Sequence, residues 1–307
     1  MQKHIFFIIL CLLTLTAVSQ GQKKDTIKLF YLGGQSNMDG YGFNNELPDS
    51  LRTTFKNVWI YHGNPAKDEE TDGGLGKWDT LKPGHGVLFS SNGKENNLSD
   101  RFGVELSFAK RLQELYPNEK IAIIKYSKGG TAIDSIAAKK PYASGSWEPD
   151  YKGTNGVNQY DHYLTTIKNA LKVRDINSNG IEDELIPSGI IWMQGESDGF
   201  YTEDIASRYY ANLKRLMDLM RASFHTDNLP VVIGKISDSG ANKGEPTWPH
   251  GKIIQDAQEA YVRNHTNTAI VRNTSQYQYS DLYHYNSKGF IDLGVQFAEA
   301  IYKLNKN

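Results

Sequence analysis

Thr26-Ile27-Lys28-Leu29-Phe30-Tyr31-Leu32-Gly33-Gly34-Gln35-Ser36-Asn37-Met38 is the stretch that decides the fold. Its apolar run is interrupted by one lysine and ends at a Gly-Gly pair, the pattern of a strand covered on both faces that exits into a tight polar turn. Four further runs of this kind lie at 121–126, 189–193, 231–236 and 268–272, each bounded by Gly, Pro or polar clusters. Helical spacing fills the intervals: Val104, Phe108, Leu112 and Leu115; Tyr160, Leu164, Ile167 and Leu171; Ile205 through Tyr209, Leu213, Leu216 and Met220 to Phe224; and Phe290, Leu293, Phe297 and Ile301. Short buried strands alternating with helices predict a three-layer α/β/α, flavodoxin-like domain with a parallel central sheet. Residues 44–100 have no strong periodicity and are rich in Gly, Asn and Asp, so long loops over the sheet edge are expected there.

Composition narrows the function classes. The 307 residues carry 34 Lys+Arg against 35 Asp+Glu, which excludes the basic excess of a typical nucleic-acid binder. With 39% apolar and 22% charged residues the chain is that of a soluble globular protein. The N-terminus has the form of a secretory leader: Lys3 and His4, an apolar run over 5–13, then Ala17-Val18-Ser19. Cleavage is expected after Ser19, with cleavage after Gly21 the alternative, leaving 20–307 as a single exported or periplasmic domain with no transmembrane segment. Cys11, the sole cysteine, leaves with the leader, so thiol nucleophiles and zinc–thiolate sites are excluded from the mature chain.

In an open parallel sheet the ligand site forms beyond the carboxyl ends of the strands. Four of the five exits here carry chemistry: Gly33-Gly34-Gln35-Ser36-Asn37, Ser127-Lys128-Gly129-Gly130-Thr131, Gln194-Gly195-Glu196-Ser197-Asp198, and Asp281-Leu282-Tyr283-His284 before the last helix. A serine after a glycine turn, two further polar turns and an Asp-x-x-His are the parts of an ester hydrolase: a nucleophile, oxyanion donors, and a base with its orienting carboxylate. The Gly-x-Ser-x-Gly elbow of α/β-hydrolases is absent.

These blocks, with Phe102-Gly103-Val104-Glu105 and Trp192-Met193 ahead of Gln194, resemble the SGNH (GDSL-like) hydrolase superfamily, and within it the sialate O-acetylesterase and carbohydrate esterase family six group. The resemblance implies the SGNH-hydrolase form of the fold, with Ser36 as nucleophile, His284 as general base and Asp281 as the carboxylate that orients it. It implies an oxyanion hole made by the backbone N–H groups of Ser36 and Gly129 and by a side-chain amide. Gln194 is the expected third donor, with Ser197 and Asn37 left open, and Asn37, Glu196, Ser197 and Asp198 are expected to support the site. The implied activity is a secreted carbohydrate O-acetylesterase working through an acetyl-enzyme on a glycan such as xylan or sialic acid, with no cofactor needed for catalysis. The alternatives are a lipid or other acyl esterase, or a non-catalytic carbohydrate-binding domain. Activity is expected to rise through the imidazole titration near about 6.5, higher if Asp281 pairs with it.

Three smaller readings complete the sequence. Asp175, Asn177, Asn179, Ile181 and Asp183 occupy positions one, three, five, seven and nine of an EF-type loop with Gly180 at six, but Ile186 stands at twelve, so a structural calcium would need Glu184 or Asp183 instead. The remaining histidines, His62, His85, His162, His225, His250 and His265, lack zinc-site spacing and are expected mostly at the surface. Trp59, Trp78, Trp147 and Trp248, with Tyr61, Tyr142 and Tyr151, are either core residues or platforms for sugar rings.

Overall fold

The computed structural model describes residues 24–306 apart from 67–69, 142, 153–156 and 243. The leader, Cys11 and Tyr142 lie outside the described residues. Seven strands form the main sheet: β1 (Thr26–Gly34), β2 (Val58–His62), β3 (Asp79–Thr80), β4 (Lys120–Ser127), β5 (Glu184–Met193), β6 (Val231–Gly234) and β7 (Thr268–Val271). Their order is β7-β6-β5-β1-β4-β2-β3. All neighbours are parallel except β3, which runs antiparallel to β2 at the edge, so the expected parallel sheet is mixed at that end.

β2 and β3 also correct the reading of 44–100 as loops alone. Val58-Trp59-Ile60-Tyr61-His62 alternates aromatic and β-branched side chains between Asn57, which takes a positive φ of 60°, and Gly63. That is a strand signal within a loop-like composition.

Neighbouring residues of β1 show why the sheet is covered twice. Phe30 meets Phe108 with ring centroids 5.5 Å apart, whereas Tyr31, one residue on and facing the other way, meets Tyr163 at 4.9 Å. Phe108 belongs to α2 (Glu105–Leu115), which packs with α7 (Ser287–Leu304) on one face. Tyr163 belongs to α3 (Gln159–Lys172), which covers the other face with α5 (Tyr209–Ser223) and α6 (Gly251–Asn264). The helical pattern in α3 is offset from the expected one: Tyr163 is buried and Leu164 faces outward, because Tyr163 fills the space under Tyr31. The single helix expected from Ile205 to Phe224 is divided into α4 (Glu203–Ser207) and α5 at Arg208.

Pro187 sits inside the central strand β5, where a proline removes a ladder donor. The β1/β5 register shifts between Leu29 and Phe30, pairing them with Pro187 and Gly189, so the bulge absorbs it.

Candidate active site

β1 ends where the chain must pass against its neighbour. A Cβ on Gly34 would lie 1.9 Å from the Met193 carbonyl oxygen, and Gly34 takes a φ of 147°, so only glycine fits. Gln35 then donates its N–H to the Met193 carbonyl at 2.9 Å, and the one-turn helix α1 (Ser36–Asp39) starts with Ser36 at its first position. Ser36 is therefore placed by the exits of two adjacent strands.

The turn after β4 brings in Gly129. Its ideal Cβ position is only 3.2 Å from Ser36 Cβ and 3.6 Å from the Tyr41 hydroxyl, so a side chain there would crowd the serine. The loop before α7 supplies His284, whose Nδ1 is 2.7 Å from Asp281 Oδ2. Asp281 Oδ1 accepts the backbone N–H groups of Tyr283 and His284 at 2.7 and 2.8 Å, which makes Asp-x-x-His one compact turn. The Tyr41 ring stacks flat on the imidazole.

Ser36, Gly129 and His284 line one cavity of about 590 Å³. The Ser36 hydroxyl and His284 Nε2 make no hydrogen bond to each other or to other described residues, and both residues line the cavity. Burial holds the His284 imidazole below its ordinary 6.5, outweighing the upward pull of Asp281. This corrects the expected upward shift: the ring is mostly enclosed, whereas Asp281 is about half exposed. Asp281 lies below the usual carboxylate range because, against its own burial, it accepts from His284 and two backbone N–H groups.

Gln194, the expected third oxyanion donor, is not brought to the cavity. It is fully buried, and its Nε2 donates to Asp198 Oδ2 at 2.6 Å, the Thr131 carbonyl at 3.1 Å and Gln35 Oε1 at 3.3 Å. Asn37 is likewise engaged, with its Nδ2 on Glu196 and the Tyr283 carbonyl. The glutamine that does line the cavity is Gln35. Its Oε1 accepts from Gln194 Nε2 and from the N–H groups of Gly195 and Ser197, each at 3.3 Å, and its Nε2 has no hydrogen-bond partner among the described residues. Ser197 also lines the cavity.

Asp198 holds the block together. It accepts the N–H groups of Ile133 and Asp134 at 3.0 and 2.9 Å, tying the loop after β4 to the loop after β5, and burial pushes its carboxyl up to about 6. Glu196 is also buried and is pushed up to about 7 by that burial. Beneath α1, the fully buried Lys125 donates to Glu105 Oε2, the Asp39 carbonyl and the His85 carbonyl at 2.8, 2.8 and 2.6 Å, which explains Glu105 in the Phe-Gly-Val-Glu block.

The other cavity residues, Trp248 apart, were not singled out in the sequence. Asp39, pushed up to about 6 by burial, and Lys128 contribute charge. Phe200, Tyr201, Trp248 and Tyr283 form a continuous aromatic stretch, with Trp248 5.6 Å from Tyr283 and 6.1 Å from Phe200. Of the candidate platforms only Trp248 is here; Trp78, Trp147, Tyr61 and Tyr151 are core residues, and Trp59 packs against the core. His62, His85 and His162 are buried, contrary to the surface expectation, and His62 stacks on Phe89 at 4.0 Å. Burial lowers His62 well below the ordinary imidazole value and His85 to about 3, so both are neutral packing residues.

The calcium expectation does not fit the loop. Asp175 accepts the N–H groups of Asn179 and Gly180, Asp183 accepts from Ile176 and Asn177, and the amides of Asn177 and Asn179 donate to Asp25. Ile181 donates its N–H to Asn179 Oδ1, and Glu184 opens β5, so the segment is a hydrogen-bonded polar turn. Among the described residues no group of three or more His, Cys, Asp or Glu side chains could hold a metal.

Residues 26–303 match the family described as carbohydrate esterase, sialic acid-specific acetylesterase. The chain belongs to that family. Among solved structures it is similar to an Arabidopsis thaliana protein, with a TM-score of 0.61 and 18% identity over 90% of this chain and 98% of that one. It is also similar to XAC1771, a carbohydrate acetylesterase from Xanthomonas citri, with a TM-score of 0.58 and 17% identity over 91% of this chain and 56% of that one. NanS matches with a TM-score of 0.53 and 16% identity over 91% of this chain and 98% of its own. Among curated proteins no sequence relative is found. Family and fold thus agree on an SGNH-type acetylesterase, and no helix among the described residues is long and apolar enough to cross a membrane.

Proposed function

We propose that this acetylesterase is an exported serine enzyme that removes O-acetyl groups from carbohydrate. The observation that carries the reading is that Ser36 and His284, the latter fixed by Asp281 at 2.7 Å, line one cavity. His284 Nε2 takes the Ser36 proton as Oγ attacks the acetyl carbonyl carbon, and the carbonyl π electrons move onto oxygen. That oxyanion is received by the N–H groups of Ser36 and Gly129 and by Gln35 Nε2. Collapse breaks the bond to the sugar oxygen, which takes the proton from the imidazolium, and leaves acetyl-Ser36. Water, deprotonated by His284, then attacks the acetyl group and releases acetate and free serine.

The aromatic stretch suits a sugar, since flat rings with polar edges match the apolar faces and hydroxyl rims of pyranosides. Asp39 and Lys128 within the same lining weigh against a lipid acyl chain.

Acetate release from O-acetylated sialic acid, acetylated xylan and 4-nitrophenyl acetate, with wild type beside Ser36→Ala and with and without a chelator, tests the reading. Loss of turnover in Ser36→Ala that is indifferent to chelation is expected. Turnover that survives the substitution removes Ser36 from the mechanism, and no release from either glycan removes carbohydrate as the substrate.

A further inference from the structure

Asp281 orients the imidazole, yet it lies on the same short loop as His284 and is about half exposed. The pair can therefore shift as one body without breaking its own 2.7 Å contact. Something else must register this loop against the nucleophile turn, which is far away in sequence.

Asn37 makes that connection. Its Oδ1 accepts the Tyr285 N–H at 3.3 Å and its Nδ2 donates to the Tyr283 carbonyl at 3.1 Å, so one carboxamide grips the backbone on both sides of His284. The remaining N–H donates to Glu196 Oε1 at 2.8 Å, which leaves the amide no free donor. Asn37 and Glu196 are each 1% exposed, and among the described residues Asn37 is the only side-chain partner of Glu196, whose Oε2 has none. A buried carboxyl with a single side-chain partner is costly to keep, and its effect here is to fix which way the Asn37 amide faces.

We propose that Asn37, oriented by Glu196, is the positioning residue that sets the His284 backbone at a working distance from the adjacent Ser36. The inference rests on the triad reading above. An asparagine is needed because the grip requires one acceptor and two donors on a short stem. An aspartate matches the shape but supplies no donor.

The experiment compares wild type, Ser36→Ala, Asn37→Asp, Glu196→Ala and the double variant Asn37→Asp with Glu196→Gln, using 4-nitrophenyl acetate and thermal unfolding. A displacement of about 1 Å in a catalytic group lowers turnover about 100-fold, so Asn37→Asp is expected to lose about that in kcat with KM changed less than about threefold. Glu196→Ala loses about tenfold, since the amide is still present but no longer oriented. The double variant restores the bond between positions 37 and 196 with donor and acceptor exchanged, but not the donor to the Tyr283 carbonyl, so it should stay close to Asn37→Asp in kcat. Should Asn37→Asp not fold, Asn37→Ser carries the same expected loss. Asn37 variants that keep kcat within about threefold overturn the proposal, as does a double variant restored to within about threefold of wild type, since the donor to Tyr283 would then be dispensable. If Ser36→Ala keeps its activity, the triad reading fails instead, and that outcome is read independently of the Asn37 variants.

Discussion

The ring of Tyr41 lies on the imidazole of His284 with centroids 3.6 Å apart and planes within 5°. Tyr41 thus shields one face of His284, the proposed base, from water and contributes to the burial that lowers its pKa. The base must be neutral to take a proton, so a lowered pKa keeps it competent at more acid pH, and the acid limb of kcat/KM should fall below 6.5. Tyr41→Ala should move that limb upward toward 6.5, and Tyr41→Phe should leave it in place. A limb that does not move in Tyr41→Ala would show that the stacking has no part in tuning the base.

Gln35 lines the cavity and Gln194, expected there from sequence, does not, and kinetics can tell which amide serves the oxyanion. Gln35→Glu keeps an oxygen for the three N–H donors but replaces the Nε2 donor with an acceptor, so kcat should fall about 100- to 1000-fold, the loss typical of one oxyanion donor. Ser197→Ala should stay within about threefold of wild type if its hydroxyl is not that donor. A large loss in Ser197→Ala beside a small one in Gln35→Glu would assign the donor to the hydroxyl.

Lys125 is a buried cation whose three acceptors lie on α1, the loop at His85 and the start of α2. Lys125→Met leaves Glu105 charged and buried without its partner, a change that costs about 3–5 kcal/mol. Urea unfolding should show this, and adding Glu105→Gln should recover part of it. Equal stability of Lys125→Met and wild type would mean that Glu105 is protonated or hydrated in the fold.

Export can be read from mass. Expressed with its leader in a secreting host, the chain should yield a product beginning at Gln20, whose intact mass identifies the cleavage. Retention of Met1 in the recovered active protein would count against the leader.

Much of this was legible in the sequence because the strands from β1 to β7 that carry the site are short, apolar and punctuated at their exits. Ser36, Gly129 and His284 fall at such exits, and the elements that place them follow from burial on both faces. Strand β2 was missed because Gly, Asn and Asp on both sides mask five residues of strand pattern. That Gln194 lies away from the cavity was hidden for a different reason: two glutamines meet beyond adjacent strands, and sequence does not say which one lines the cavity. The buried histidines and the aromatic stretch depend on loop paths, and residue type alone left their burial open.

The proposed nucleophile and base are supported unequally. Ser36 follows β1, which has a full-length strand on either side, whereas His284 hangs from the loop after the edge strand β7 and reaches back across the sheet. Changes of length or composition between β7 and α7 can therefore retune or disable the enzyme while leaving the core and the serine turn untouched. A descendant that had lost hydrolysis but kept its grasp on sugar would be expected to carry its lesion in that loop.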